Sequence, residues 1–577
     1  MNQSSKQRFQ ERLQTQKLRK EREKIVEFFL NLYNIQLKGP EKTSRSFRLI
    51  EPLQNTTFTY ELRLKHSGKW VSRPMGIMPI GEETGRKSQC FKVIYDDVLV
   101  VKIPLNPIKD FEKYVSLIRN ERNVARKLQP DIECIAPGVS PVLKKIPSFF
   151  EGMCWVPEEV EDKCIERLRH FPKFQDYLKL DGGFVFFMDI SRHSFLIQQL
   201  DNIFNLNQKI NQEIIKHPDF LSKYQKFEER YGAENTSVWL QMNQFFQDYQ
   251  IEINSLITKH SLQETIHEYK KKQWFLTYLT GNKIILDDSR ISDDFLKELN
   301  FTILKLKSQY DGVFFDYVKT VKAYVKKETF LQSKIRISGI VAGILRLLAL
   351  LKEKKVAIRD LKPDNIFVAE VSIKFLTLSA QRQEVFLGLI DLETAVSIDV
   401  TKIKKLEQPL PGGTPSYATP SNFVPNKLLE ELFGDVARIL HLQDWQASIC
   451  MIYLAVTGES LFESSKNLLY ELVKSFQNLQ GEKKDFVVAF KERNYLFWRS
   501  AQNEFTKRMT KNEKYLKDIE VVIPYETCEM FLEELENLKI RAGDRNQWIE
   551  AFKTQTLKIS AYNILIFMFR VVTQTMY

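Results

Sequence analysis

The sequence predicts an α+β fold, with a small β-rich part near the N-terminus and a large helical remainder. Three observations predict it. Between Ser67 and Pro104 the texture is Gly, Pro and alternating β-formers, as in CFKVIYDDVLVVKIP, where Asp96-Asp97 separates two apolar runs as a hairpin turn does. Residues 108–128, IKDFEKYVSLIRNERNVARKL, place Phe111, Val115, Ile118 and Val124 near a 3.6-residue period, which predicts an amphipathic helix after the strands. From 203 to 330, and again from Ser421 to Tyr577, the pattern is mostly helical, and no fixed-period repeat stands out.

The elements follow in order. Residues 1–40 form a basic N-terminal extension: 5–35 lack Gly and Pro, are dense in Lys, Arg, Glu and Gln, and end in IVEFFLNLYNI, a long helix with an apolar patch near its C-terminal end. That patch docks on the following domain in preference to a partner. Residues 67–200 carry the strands and the first amphipathic helix, and close with GGFVFFMDIS (182–191), a short apolar run with the pattern of a buried strand. Residues 201–334 read as a mostly helical insertion. Its aromatic and Lys-rich helices, such as HEYKKKQWFLTYLTGNK (267–283), offer a docking surface to a partner, but such helices more often pack against their neighbours, so nucleic acid is not expected. Residues 335–577 form the second helical part.

Bulk properties exclude several classes. With 577 residues, 43% hydrophobic and 27% charged, the chain supports one large core or several domains. The six cysteines lie far apart without a C-x-x-C pair, so neither a zinc knuckle nor a disulfide framework is indicated. The polar, basic N-terminus has no apolar signal core, and a cytoplasmic location fits best. The apolar stretches Ile337–Leu351 and Ile559–Met568 are each shorter than the roughly 20 residues of a spanning helix, so no membrane span is expected. The net charge of +12 is spread amid 73 acidic residues and reads as a solvated basic surface.

The run that carries chemistry is VAIRDLKPDNIFV (356–368), which follows the apolar helix ISGIVAGILRLLALLKEKK. Phosphoryl transfer needs a carboxylate to orient the attacking hydroxyl, oxygen ligands for Mg²⁺ and cations against the phosphates, because its catalysis is mostly positioning and charge stabilisation. Asp360, Lys362 and Asn365 supply all three within six residues.

This loop resembles the catalytic loop of the protein kinases, in the R-D-L-K-P-x-N form of the serine/threonine branch. The resemblance implies that Asp360 is the catalytic base, that Lys362 steadies the γ-phosphate and that Asn365 binds Mg²⁺. It also implies a phosphate-gripping lysine on a strand and a glutamate to hold it. VLVVKIP offers Lys102, and Glu121 lies 19 residues later on the amphipathic helix. Upstream, PIGEETGRKSQCFKV is similar to a glycine-rich loop, retaining Gly81 and Gly85 with Glu83 where a second glycine is expected. FFMDIS is similar to the family's fifth strand and hinge, with Met188 as gatekeeper and the backbone of Asp189 and Ser191 offered to adenine. FLGLIDLETAV supplies Asp391 as the second metal ligand, in D-L-E where the family has D-F-G, so that Glu393 removes a permissive glycine. The long gap from Asn365 to Asp391 reads as an extended hairpin carrying VSIKFLTLSAQRQEVF.

Further on, GGTPSYATPS (412–421) resembles the end of an activation segment, with Ser421 in place of the family's glutamate, and DWQASICMIYLAVTG (444–458) resembles the helix whose Asp444 braces the catalytic loop. Arg359 is retained, although Ile358 replaces the usual histidine. In the family this arginine receives a phosphorylated residue, for which Thr401, Thr414, Ser416 and Thr419 are candidates.

Taken together, the resemblance covers residues 75–200 and 335–465. It implies a two-lobed fold with a β-rich N-lobe and a helical C-lobe, and an ATP- and Mg²⁺-dependent kinase of serine or threonine hydroxyls in a protein substrate. Two alternatives stay open. A pseudokinase scaffold is motivated by Glu83, Ile358, Glu393 and Ser421. A small-molecule kinase is disfavoured by Lys362-Pro363 and GTPSY, which belong to protein substrate recognition in the family.

Overall fold

The computed structural model describes residues 3–38, 44–50, 57–80, 88–151, 159–190, 193–262, 266–281, 291–369, 385–399, 406, 408, 411–478, 483–553 and 558–577. The chain divides into two compact units: residues 1–198 together with 336–577, and residues 199–335.

The first unit opens with helix α1 (Gln3–Gln36) and a six-stranded sheet. The strands are β1 (Arg45–Ile50), β2 (Phe58–His66), β3 (Lys69–Ile80), β4 (Ser88–Ile94) and β5 (Val98–Pro104). After β5 come α2 (Phe111–Leu128), the short β6 (Cys134–Ile135) and β7 (Phe186–Asp189), which closes the sheet beside β5 in the order β1-β2-β3-β4-β5-β7. Every pairing in it is antiparallel. The sheet begins at Arg45, earlier than the expected Ser67. Tyr60, Leu62 and Leu64 alternate along β2 and point into the core, as a half-buried strand requires. Asp96 and Asp97 form the β4–β5 turn, with Tyr95 N–H donating to the Asp97 carbonyl.

Helix α1 lays its C-terminal half on this sheet. Ile25, Val26, Phe29, Leu30, Leu32 and Tyr33 are buried in one cluster with Leu62, Leu64, Val93 and Phe187, and the Phe28 and Phe187 rings stack at 5.5 Å. The apolar patch of the N-terminal extension is thus covered by its own chain. Asp110 caps α2 by accepting from Lys113 N–H at 2.6 Å, and Tyr114, Val115, Ile118, Ala125 and Leu128 form its buried stripe.

The rest of this unit is mostly helical, with small sheets at its edge. Strand β8 (Ser194–Phe195) joins β10 (Ile366–Ala369), β11 (Phe386–Ile390) and β6 in a four-stranded sheet, and β9 (Val356–Ala357) pairs with β12 (Val396–Ser397). Helix α3 (Val436–Thr457) carries apolar residues all round, with His441, Gln443 and Asp444 among them, and is buried nearly end to end, packed against α4 (Ala561–Met576).

The second unit is helical. Its core gathers Phe245, Phe246, Tyr249, Ile253, Trp274, Phe275, Phe295, Leu299 and Tyr317 around the helix Thr236–Lys259. Helix Asp311–Glu353 contributes its residues up to Ile335 to this unit and the remainder to the first. Among the described residues, no helix is long and apolar enough to cross a membrane.

One buried titratable group sets an acid limit on the fold. His441 on α3 is 4% exposed, and its Nε2 accepts from Trp445 Nε1–H at 3.1 Å, which requires a neutral ring. Burial, with Lys352 adding to it, pushes its pKa down to about 3 from the ordinary 6.5. Between those values the unfolded chain binds a proton that the folded chain does not, so this contribution is complete above pH 6.5 and is lost as pH falls toward 3. Urea unfolding of the parent and His441→Gln is therefore expected to diverge in pH slope. Between neutrality and roughly pH 4.5 the parent loses about 2–3 kcal/mol more than the variant.

Candidate functional site

The loop 358–365 is held from below by one carboxylate. Arg359 adopts a left-handed backbone, φ +70°, which a side chain with a Cβ resists. Asp444, fully enclosed on α3, accepts the N–H of Ile358 at 2.8 Å and that of Arg359 at 2.7 Å. Burial raises its pKa to about 7 against the pull of those two N–H groups and of the Arg359 guanidinium. The guanidinium is itself buried, donating to Gln443 Oε1 at 3.0 Å and to the Asn422 carbonyl at 3.1 Å. Burial lowers its pKa to about 10, with Asp444 and Asp360 opposing. Asn422 Nδ2 returns a bond to the Arg359 carbonyl at 2.9 Å.

Beyond Arg359 the chain turns so that three polar side chains converge. Pro363 starts a single tight turn, in which Asn365 N–H reaches the Lys362 carbonyl at 2.9 Å. Asn365 Nδ2 then donates to the Asp360 carbonyl at 3.0 Å and lies 3.4 Å from Asp360 Oδ2. Lys362 Nζ stands 3.4 Å from Asp360 Oδ2 and 3.0 Å from Thr414 Oγ1, while Thr414 N–H and Oγ1–H both donate to Asp360 Oδ1, at 2.8 and 2.9 Å. Burial opposes the Lys362 charge, but Asp360, Asp391 and Asp364 hold its pKa above the usual value.

The β10–β11 hairpin brings in Asp391. Ile366 pairs with Leu389 and Ala369 with Phe386. Gly388 is needed at this crossing: a Cβ there would lie 2.2 Å from the Phe367 ring and 2.8 Å from the Glu133 carbonyl. The residues between Ala369 and Val385, which carry most of the expected extended hairpin, lie outside the described residues. Asp391 is also left-handed, φ +65°, and the following amide, Leu392 N–H, donates to the buried Glu121 at 3.1 Å.

Lys102, only 2% exposed, reaches this turn from β5. Its Nζ donates to Asp391 Oδ1 and to Glu393 Oε2, both at 2.6 Å. Burial works against the ammonium, but Asp391, Glu121 and Glu393 overcome it and hold its pKa well above the ordinary value. Glu121 is raised from the usual carboxylate range, by burial first, with Lys102 pulling it down and the two acids pushing it up.

Asp360, Lys362 and Asn365 thus contact one another, Lys102 bonds to Asp391 across 289 positions, and Asp391 is near enough to Lys362 to help raise its pKa. One expected contact differs. Lys102 donates directly to Glu393, while Glu121, expected to hold it, accepts the Leu392 amide and attracts the ammonium through space. The reason is local: Asp391 carries the left-handed turn and Glu393 does not, so position 393 accommodates a side chain, which then points at the ammonium.

Met188 is buried opposite Val100, in a cluster with Ile190, Phe195, Phe367 and Ile390. Asp189, exposed, ends β7 opposite Leu99. Gly81, Gly85, Glu83, Ser191 and Thr401 lie outside the described residues. Thr414, read as a phosphate acceptor, is half-buried between Asp360 and Lys362. Ser421 is buried and accepts from Gln443 Nε2 at 2.9 Å, in a neutral network with Thr419 and Asn422. Sequence reasoning missed Gln443 and Asn422 as partners of Arg359, and no motif marks either one. It also missed the pairing role of Glu393, for which the departure from glycine was the signal.

Asn365 and Asp391 are hard oxygen donors of the type Mg²⁺ takes. Among the described residues no group of three or more His, Cys, Asp or Glu side chains is arranged to hold a metal ion. No protein-family model matches the chain, and no curated protein matches its sequence.

Asp444→Ala is expected to cost about 2–5 kcal/mol in denaturant unfolding, because it strips two buried N–H groups and a buried guanidinium of their carboxylate. Asp444→Asn, which keeps one acceptor oxygen, is expected to cost less than the alanine variant in the same measurement.

Proposed function

We propose that this chain is a protein kinase that transfers the γ-phosphoryl group of ATP to serine or threonine hydroxyls, on a two-lobed fold with the six-stranded sheet as its small lobe. The observation that carries the reading is the convergence of Lys102, Asp360, Lys362, Asn365 and Asp391 from three separate stretches of sequence.

In this reading Asp360 orients the attacking hydroxyl and takes its proton as the new P–O bond forms and the bond to the ADP oxygen breaks. Lys362, held charged beside Asp360, balances the developing charge on the transferred group. Lys102 presents a permanently charged ammonium to the nucleotide phosphates. Asn365 and Asp391 would hold Mg²⁺, which supplies charge neutralisation on the phosphate oxygens when bound. The apolar cluster of Val100, Met188, Phe367 and Ile390 suits a flat base beside the β7 backbone. Thr414, bonded to both Asp360 and Lys362, holds the proposed base and its neighbouring ammonium together. The scaffold alternative draws on Glu83, Ile358, Glu393 and Ser421, but each of those departures leaves the five chemical groups in place.

The test is Mg²⁺-dependent transfer of labelled γ-phosphate to the protein itself and to a generic basic protein. Asp360→Asn is expected to lower the rate by about 10²–10⁴-fold while leaving Mg-ATP binding intact. Binding without transfer in the parent would favour the scaffold; absence of binding would refute the nucleotide assignment.

A further inference from the structure

We infer that Glu393 is the residue that positions Lys102, and that Glu121 instead fixes the turn bearing Asp391; the inference rests on the kinase reading above. A buried ammonium needs a counter-charge and a defined direction, since its desolvation is costly and its stem is flexible. Lys102 has two direct partners, Asp391 and Glu393, each at 2.6 Å. Asp391 is the group assigned to the metal, so on cation arrival its oxygens are shared. Glu393 is then the remaining direct carboxylate that keeps the ammonium pointed into the site.

Glu121 is close enough to feel Lys102 and be felt by it, but its bonding is to the backbone. It accepts the Leu392 amide directly after the left-handed Asp391, so its work is to hold a strained turn. The two glutamates thereby divide two tasks between α2 and the 391–393 turn. The division accounts for the D-L-E sequence: a glycine at 393 would leave Lys102 with one directly bonded carboxylate, and that one committed to the cation.

The experiment is a pair of double-mutant cycles, Lys102→Met with Glu393→Gln and Lys102→Met with Glu121→Gln. Each is read twice on the full chain: by the dissociation constant for Mg-ADP and by the unfolding midpoint without nucleotide. Glu393→Gln is expected to weaken Mg-ADP binding by roughly tenfold, to add little in the Lys102→Met background, and to leave the rate at saturating ATP much less affected than the KM. Glu393→Asp, which keeps the charge, is expected to recover part of the loss. Glu121→Gln retains an oxygen for Leu392 N–H and is expected to change Mg-ADP affinity by less than about threefold. Coupling of Lys102 to Glu121 and not to Glu393, or tighter Mg-ADP binding in Glu393→Gln, would overturn the inference. If the parent binds no Mg-ADP, the kinase reading fails, and the unfolding cycle still decides which glutamate is the partner of Lys102.

Discussion

The carboxylate of Asp444 fixes the loop that bears Asp360, Lys362 and Asn365. It sits in the middle of a helix that is buried on all sides, so its position is set by the core. By accepting two consecutive backbone N–H groups it stabilises a left-handed Arg359, and the reversal at Arg359 aims Asp360, Lys362 and Asn365 at one point. A second carboxylate does the same service for the other half of the site. Glu121, rigid on α2, holds the amide that follows the left-handed Asp391. Two backbone positions that cost free energy are thus each fastened to a helix through a buried acid, and each precedes or bears a residue of the cluster.

Charge explains much of what surrounds them. Lys102 gathers Asp391, Glu121 and Glu393 around one ammonium, with Glu121 buried and Asp391 and Glu393 partly open to solvent. Around Arg359 the opposite solution is used. Its guanidinium is buried against a glutamine, a backbone carbonyl and the nearby Asp444, and Thr419, Ser421 and Asn422 complete a largely neutral network. An arginine satisfied in this way has no need of an added phosphate to complete its surroundings, and Thr414 is already engaged with Asp360 and Lys362.

What the sequence by itself determined was the local chemistry and the coarse architecture. Alternation along CFKVIYDDVLVVKIP, the helical period of 108–128 and the apolar end of the first helix each follow from side-chain geometry within a few residues, and each is present. Strand β2 was equally legible in Tyr60, Leu62 and Leu64, although the predicted sheet began after it. The grouping of Asp360, Lys362 and Asn365 was legible because a proline-containing loop of six residues leaves them little room to diverge. Only the tertiary structure decided which partners cross the chain. Whether Lys102 meets Glu121 or Glu393 depends on where the left-handed turn falls near Asp391, and sequence spacing carries no information on that. That Gln443 and Asn422 enclose Arg359 depends on helix α3 and the Pro420–Phe423 turn both meeting the loop, contacts between residues more than sixty positions apart. Short-range periodicity is written into neighbouring residues; the pairing of buried charges is set by which distant surfaces the core brings together.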